Sequence, residues 1–138
     1  MNLVLKFTLI LGISFQLSCQ NKSSDKMIFV ANLPNLLDES SGIESVVGSD
    51  GFWMINDAGN SNDLFEISKN GQIINIVEVE NAKNKDWEDL ASDGHEKIFI
   101  GDFGNNENDR KNLSIYSISI NSISKNKVVA DKIKFSFE

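Results

Sequence analysis

A chain of 138 residues with 20 acids against 13 lysines and arginines carries a formal net charge of −7. That length holds at most one domain, and that acidity, with no Lys/Arg cluster to offset it, argues against a nucleic-acid partner. One cysteine excludes an internal disulfide, and one histidine excludes a His-based metal site or a Ser-His-Asp triad built from this chain alone.

The chain opens "MNLVLKFTLILGISFQLSC", with Lys6, an apolar run through Phe15 and small Ser18 before Cys19. About 10 apolar residues after Lys6 are too few to span a bilayer, so residues 1–18 read as a secretory signal peptide. Leu17-Ser18-Cys19 resembles the end of a bacterial lipoprotein signal, although Gln16 stands where an aliphatic residue is usual. That resemblance implies lipidation of Cys19, and anchoring to a membrane of the cell envelope without a spanning helix. The alternative is plain secretion with an incidental cysteine. Losing residues 1–18 removes Lys6 and no acid, which takes the net charge from −7 to −8. Cations or neutral ligands suit such a surface. Residues 19–26 hold Cys19 and a short polar tether, and residues 27–138 form the domain.

From Met27 onward the pattern is β, with turn signals every eight to twelve residues or so. "MIFVANL" predicts a first strand, stopped by Pro34. "GIESVV" alternates, and "GFWMIND" is short and almost continuously apolar, as in a strand buried on both faces. "LFEIS" follows, and Asn70-Gly71 predicts a tight turn that needs positive φ. "QIINIVEVE" then places Ile73, Val77 and Val79 on one face. No stretch sustains a helical apolar period, so the fold class is all-β.

The second half repeats the first. "FWMINDAGN" (52–60) aligns with "IFIGDFGN" (98–105), setting Asp57 over Asp102, Gly59 over Gly104 and Asn60 over Asn105. "LFEIS" (64–68) aligns with "IYSIS" (115–119), and "ESSGI" (39–43) with "DWEDL" (86–90). "QIINIVEVE" and "KIKFSFE" are the outermost strands. Each unit is four antiparallel strands over about 45–50 residues, the size of one β-propeller blade. Two such blades cannot close a ring. The chain therefore reads as the N-terminal part of a longer propeller, with "MIFVANL" free to complete a final blade.

The string "ESSGI…GFWMINDAGN…LFEIS…DWEDLASDG…IFIGDFGNN…LSIYSI" resembles secreted bacterial six-bladed propellers close to the NHL and TolB-like group, including SdiA-regulated and phytase-like "esterase-like" proteins. The resemblance covers roughly residues 33–138 and departs at Phe103, where a small aliphatic residue is common. It implies a six-bladed propeller and says little about activity.

In an antiparallel blade the start of the first strand and the end of the second lie at one rim. That rim would collect Glu39, Asp57 and Asn60 from the first blade, and Asp86, Glu88, Asp89, Asp102 and Asn105 from the second. Such a density of carboxylate and amide oxygens suits a hard cation such as Ca²⁺, which takes about six to eight oxygen ligands. Strand alternation predicts Asp86 and Glu88 on one side of "DWED", about 6.6 Å apart, with Trp87 and Asp89 on the other. Asp and Asn beside Gly also form turns, which is the competing role for Asp57, Asn60, Asp102 and Asn105. His95 falls in the turn "SDGHEK", away from the rim. Two functions follow. One is a lipid-anchored module that binds Ca²⁺ and a small-molecule or protein ligand. The alternative is a Ca²⁺-dependent hydrolase of phosphate or carboxylic esters, for which Arg110 and Lys111 are the nearby cations.

Overall fold

In the computed structural model, residues 27–137 are described. The expected signal peptide, Cys19 and the expected tether lie outside them. The described chain is all-β apart from two short 3-10 turns, Asn35–Leu37 and Ile120–Ser122. Its strands are β1 (Ser40–Glu44), β2 (Phe52–Asn56), β3 (Asp63–Ile67), β4 (Ile73–Val79), β5 (Trp87–Ser92), β6 (Lys97–Asp102), β7 (Leu113–Ser119), β8 (Lys127–Val128) and β9 (Asp131–Phe135). They form two sheets, ordered β1-β2-β3-β4-β8 and β5-β6-β7-β9. No helix among the described residues is long and apolar enough to cross a membrane.

Each sheet is a meander of neighbouring antiparallel strands, as short alternating segments joined by Gly/Asn/Asp turns should give. The Asn70-Gly71 turn forms with Gly71 at φ 81° and its amide bonded to Ser68 O at 2.9 Å. The two-residue β8 pairs parallel to β4, an element the sequence does not announce. It comes from the loop between β7 and β9, so it ties the second unit to the edge of the first. Asn81 exchanges both side-chain groups with the Ala130 backbone, at 2.7 and 2.9 Å, to close this seam.

The predicted strand "MIFVANL" does not form: residues 27–34 join neither sheet, and Met27, Ile28, Phe29 and Val30 are exposed. β-branched and aromatic content favours a strand only where a pairing edge and a buried face are available. Val30, Ala31 and Leu33 instead border a groove on one face of the first sheet, and just beyond them buried Leu37 packs with Met54, Phe65 and Ile67 on that face.

The main core lies between the sheets. Trp53, Ile55, Leu64, Val77 and Val79 of the first meet Trp87, Leu90, Ile98, Ile100, Tyr116 and Ile118 of the second. Strands β1 and β5 approach so closely that a Cβ on Gly42 would lie 2.9 Å from Leu90 N, which explains a glycine within β1.

The ladders define how the two units correspond. Phe52 pairs with Ile67 and Met54 with Phe65; in the second sheet Ile98 pairs with Ile118 and Ile100 with Tyr116. Hence Phe52, Met54, Phe65 and Ile67 match Ile98, Ile100, Tyr116 and Ile118. The second set faces the inter-sheet core, whereas the first lies on the outer face of its sheet. The two sheets stack front to back, in the same sense. They are not related face to face.

Candidate metal centre

The starts of β1 and β5 and the ends of β2 and β6 gather at one end of the stack. Asp57 N donates to Glu39 O at 2.9 Å, and Gly104 N donates to Asp86 O at 3.1 Å, closing the two ladders alike. Asn84, which sequence reasoning passed over, joins them. Its buried Nδ2 donates to Asn56 O at 2.9 Å and Asp57 O at 2.8 Å, and its Oδ1 accepts from Trp87 N at 3.2 Å. One amide thus sets the first sheet's rim against the second's. An isolated Asn in the polar run "NAKNKD" carries no pattern that would mark it.

At this junction Asp57, Asp86 and Glu88 each offer a carboxylate oxygen, and the three oxygens lie within 4.8 Å of one another in a half-buried setting. Gly104 makes the approach possible. A Cβ there would lie 2.6 Å from Glu88 Oε1 and would collide with the Asp86 carboxyl. The expectation that Asp86 and Glu88 share one side is met.

Other candidate residues do different work. Asp102 is buried, with Oδ1 accepting from Arg110 Nη2 at 2.8 Å and from Asp86 N at 3.2 Å. Arg110 also donates to Gly104 O at 2.6 Å and stands 3.8 Å from Asp86 Oδ2. Asp102 therefore braces the loop. Asn105 Oδ1 accepts from Arg110 N at 2.8 Å, a turn role. Glu39 is exposed and accepts from Asn60 Nδ2 at 2.7 Å. His95 sits exposed in the β5–β6 turn, as predicted.

Two expectations need correction. Asp89 is not opposite the carboxylate side in simple alternation. A bulge between Trp87 and Asp89 lets both Trp87 and Leu90 point into the core, and leaves Asp89 exposed with its Oδ1 on Leu90 N. The repeat alignment also slips by one residue at the rim. Ser40 pairs with Asn56 and Trp87 with Asp102, so Asn56 corresponds to Asp102 and Asp57 lies one step beyond. That step takes Asp57 out of the ladder and into the triad.

In this half-buried place the ionisation of Asp86 and Glu88 is disfavoured. Burial and then the Asp57 charge raise the Asp86 pKa above its ordinary 3.8, with Arg110 opposing. Burial, then Asp57 and Asp86, raise that of Glu88 above its ordinary 4.5. Between ordinary and raised values the folded chain holds more protons than the unfolded one, so cation-free stability falls as pH rises through that window. A cation reverses the preference, because it binds the ionised form. Cation binding is expected to release protons within that window and to weaken as pH falls through it. Calorimetric titration in two buffers of different ionisation enthalpy reads this directly; identical heats in both, at every pH of the window, would contradict it.

No protein-family model matches the chain, and no curated protein or solved structure matches it either.

Proposed function

We propose that the chain is a calcium-binding module of a bacterial cell envelope, held to a membrane by lipid on Cys19. Its two sheets are read as successive blades of a β-propeller akin to the NHL and TolB-like group. The observation that carries the reading is the convergence of Asp57, Asp86 and Glu88 from two sheets onto one point, with a glycine clearing the space. Three carboxylates suit a hard cation of flexible coordination, and their few ligands leave positions for water or a bound ligand's oxygen. A hydrolase reading is less well supported. It needs a free cationic group beside the ion, and the Arg110 guanidinium is engaged by Asp102 and Gly104.

Thermal melting of the full chain with Ca²⁺, Mg²⁺ and EDTA tests the proposal. At about a hundredfold excess over Kd, binding adds about 2.7 kcal/mol, a rise in Tm on the order of 10 °C for a chain of this size. The Mg²⁺ response should be smaller, since that ion demands a tighter octahedral shell. Superimposable melts in Ca²⁺ and EDTA would remove the cation from the function.

A further inference from the structure

The segment before β1 is held to the first sheet at two places. A Cβ on Gly71, in the β3–β4 turn, would lie 2.8 Å from Ala31 Cβ and 3.0 Å from Asn32 O. Further on, Asn56 Nδ2 donates to Leu36 O at 2.8 Å and Ser40 Oγ donates to Leu37 O at 2.6 Å. Between segment and sheet runs an apolar groove of about 350 Å³, bordered by Val30, Ala31 and Leu33 from the segment and by Ile43, Phe52 and Met54 from β1 and β2. Val30, Ile43 and Phe52 are exposed along it, at 73, 57 and 36 %.

Size and charge select the occupant of this groove. With the segment and Leu37 already on the face, another sheet has no room to lie flat there. A volume of about 350 Å³ instead falls at the small end of ligand cavities. At about 30 Å³ for a water-sized group, it holds on the order of ten methylenes. Polar partners at its border are few, because Ser68 Oγ is taken up within its own turn by Asn70 and Gln72. Lys69 is the single charged residue among the described residues that border it. It is exposed and makes no ion pair among the described residues. Glu66, the acid of β3 nearest to it in sequence, pairs with Trp53 and by strand alternation faces the other side of the sheet. In a chain of net charge −7, one free ammonium beside an apolar groove suits a single aliphatic chain that ends in an anion.

We propose that this groove binds a free fatty carboxylate of medium length, its chain along the apolar walls and its carboxylate on Lys69 Nζ. The site shares no residue with the Asp57, Asp86 and Glu88 rim, and it stands whether or not a cation binds there. The chain supplies most of the affinity, about fourfold for each methylene buried. The exposed ammonium adds about two- to fivefold and sets which head group is preferred.

Calorimetric titration of the full chain tests it, in EDTA so that no cation intervenes, and with each ligand below its micelle-forming concentration. Decanoate should bind roughly tenfold more tightly than octanoate, for two further methylenes buried. It should also bind about two- to fivefold more tightly than decanol, and decyltrimethylammonium should bind least. Lys69→Gln should bring decanoate down to the level of decanol and leave decanol unchanged, while Lys69→Glu should put the cationic ligand ahead of decanoate. Leu33→Trp and Ile43→Trp, which narrow the groove from the segment and from the sheet, should each weaken decanoate at least tenfold, with circular dichroism showing that the chain remains folded. Absence of decanoate binding would overturn the proposal. So would equal affinity for the three head groups, or undiminished affinity in both folded tryptophan variants. Capture of the chain by phosphatidylglycerol vesicles without binding of monomeric decanoate would assign the groove to a membrane surface, and would overturn it too.

Discussion

Arg110→Ala is expected to cost about 3–5 kcal/mol of stability, the effect of removing one partner from a buried ion pair. The Asp102 side chain is 1 % exposed and that of Arg110 16 %, so water can do little to replace the guanidinium. One Asp102 oxygen, Oδ2, already lacks a partner among the described residues, and without Arg110 the other keeps only the Asp86 amide at 3.2 Å. The substitution also frees Gly104 O and removes the positive charge nearest Asp86. Arg110→Lys should recover only part of the loss. An ammonium keeps the charge but not the planar fork that reaches Asp102 and Gly104 together. Urea unfolding of both variants in EDTA gives the comparison. A loss below about 1 kcal/mol, typical of an exposed pair, would show that Asp102 does not depend on Arg110.

This pair also explains why Asp102 resembles a ligand in sequence and acts as a brace in space. "GDFGN" and "NDAGN" look alike, and the alignment equates their aspartates. The ladder equates Asp102 with Asn56 instead, because Phe103 adds a residue before Gly104 takes up the bond that Asp57 makes in the first unit. Short strings with Asp, Gly and Asn tolerate such a one-residue slip, and only the pairing register removes it.

The all-β class, the meander order and the repeat of "LFEIS" on "IYSIS" were legible because period-two alternation and turn residues act locally. The rim was legible too, since antiparallel connection alone places the starts of β1 and β5 with the ends of β2 and β6. Three things were not. The bulge at Trp87–Asp89 answers the demand to bury Trp87 and Leu90 on one face, which alternation forbids. The parallel β8 depends on a loop reaching another sheet's edge. Residues 27–34 have strand-like composition yet pair with neither sheet. Each is decided by a non-local contact that competes with local propensity.

Asp57→Asn is expected to reverse the order of stability between two conditions. In EDTA the variant should melt above the unaltered protein, by about 0.5–2 kcal/mol, the usual gain from relieving a functional strain. The charge of Asp57 is the largest repulsive cause, after burial, of the raised Asp86 and Glu88 pKa values. An isosteric amide removes that charge and keeps the local bonds. The substituted side chain's amide oxygen can still accept from Ala58 N, the backbone amide can still reach Glu39 O, and the carbonyl can still receive Asn84 Nδ2. In saturating Ca²⁺ the unaltered protein should instead be the more stable, because the variant loses one of three anionic ligands. The same loss of repulsion should flatten the variant's cation-free stability across the acid window where the parent falls. Melting both proteins in EDTA and in Ca²⁺, at two pH values, gives the crossing or its absence. If the variant melts below the parent in EDTA, the three carboxylates do not strain one another. If it keeps the parent's full Ca²⁺ shift, Asp57 is no ligand, and the triad that joins the two sheets is a rim of turns.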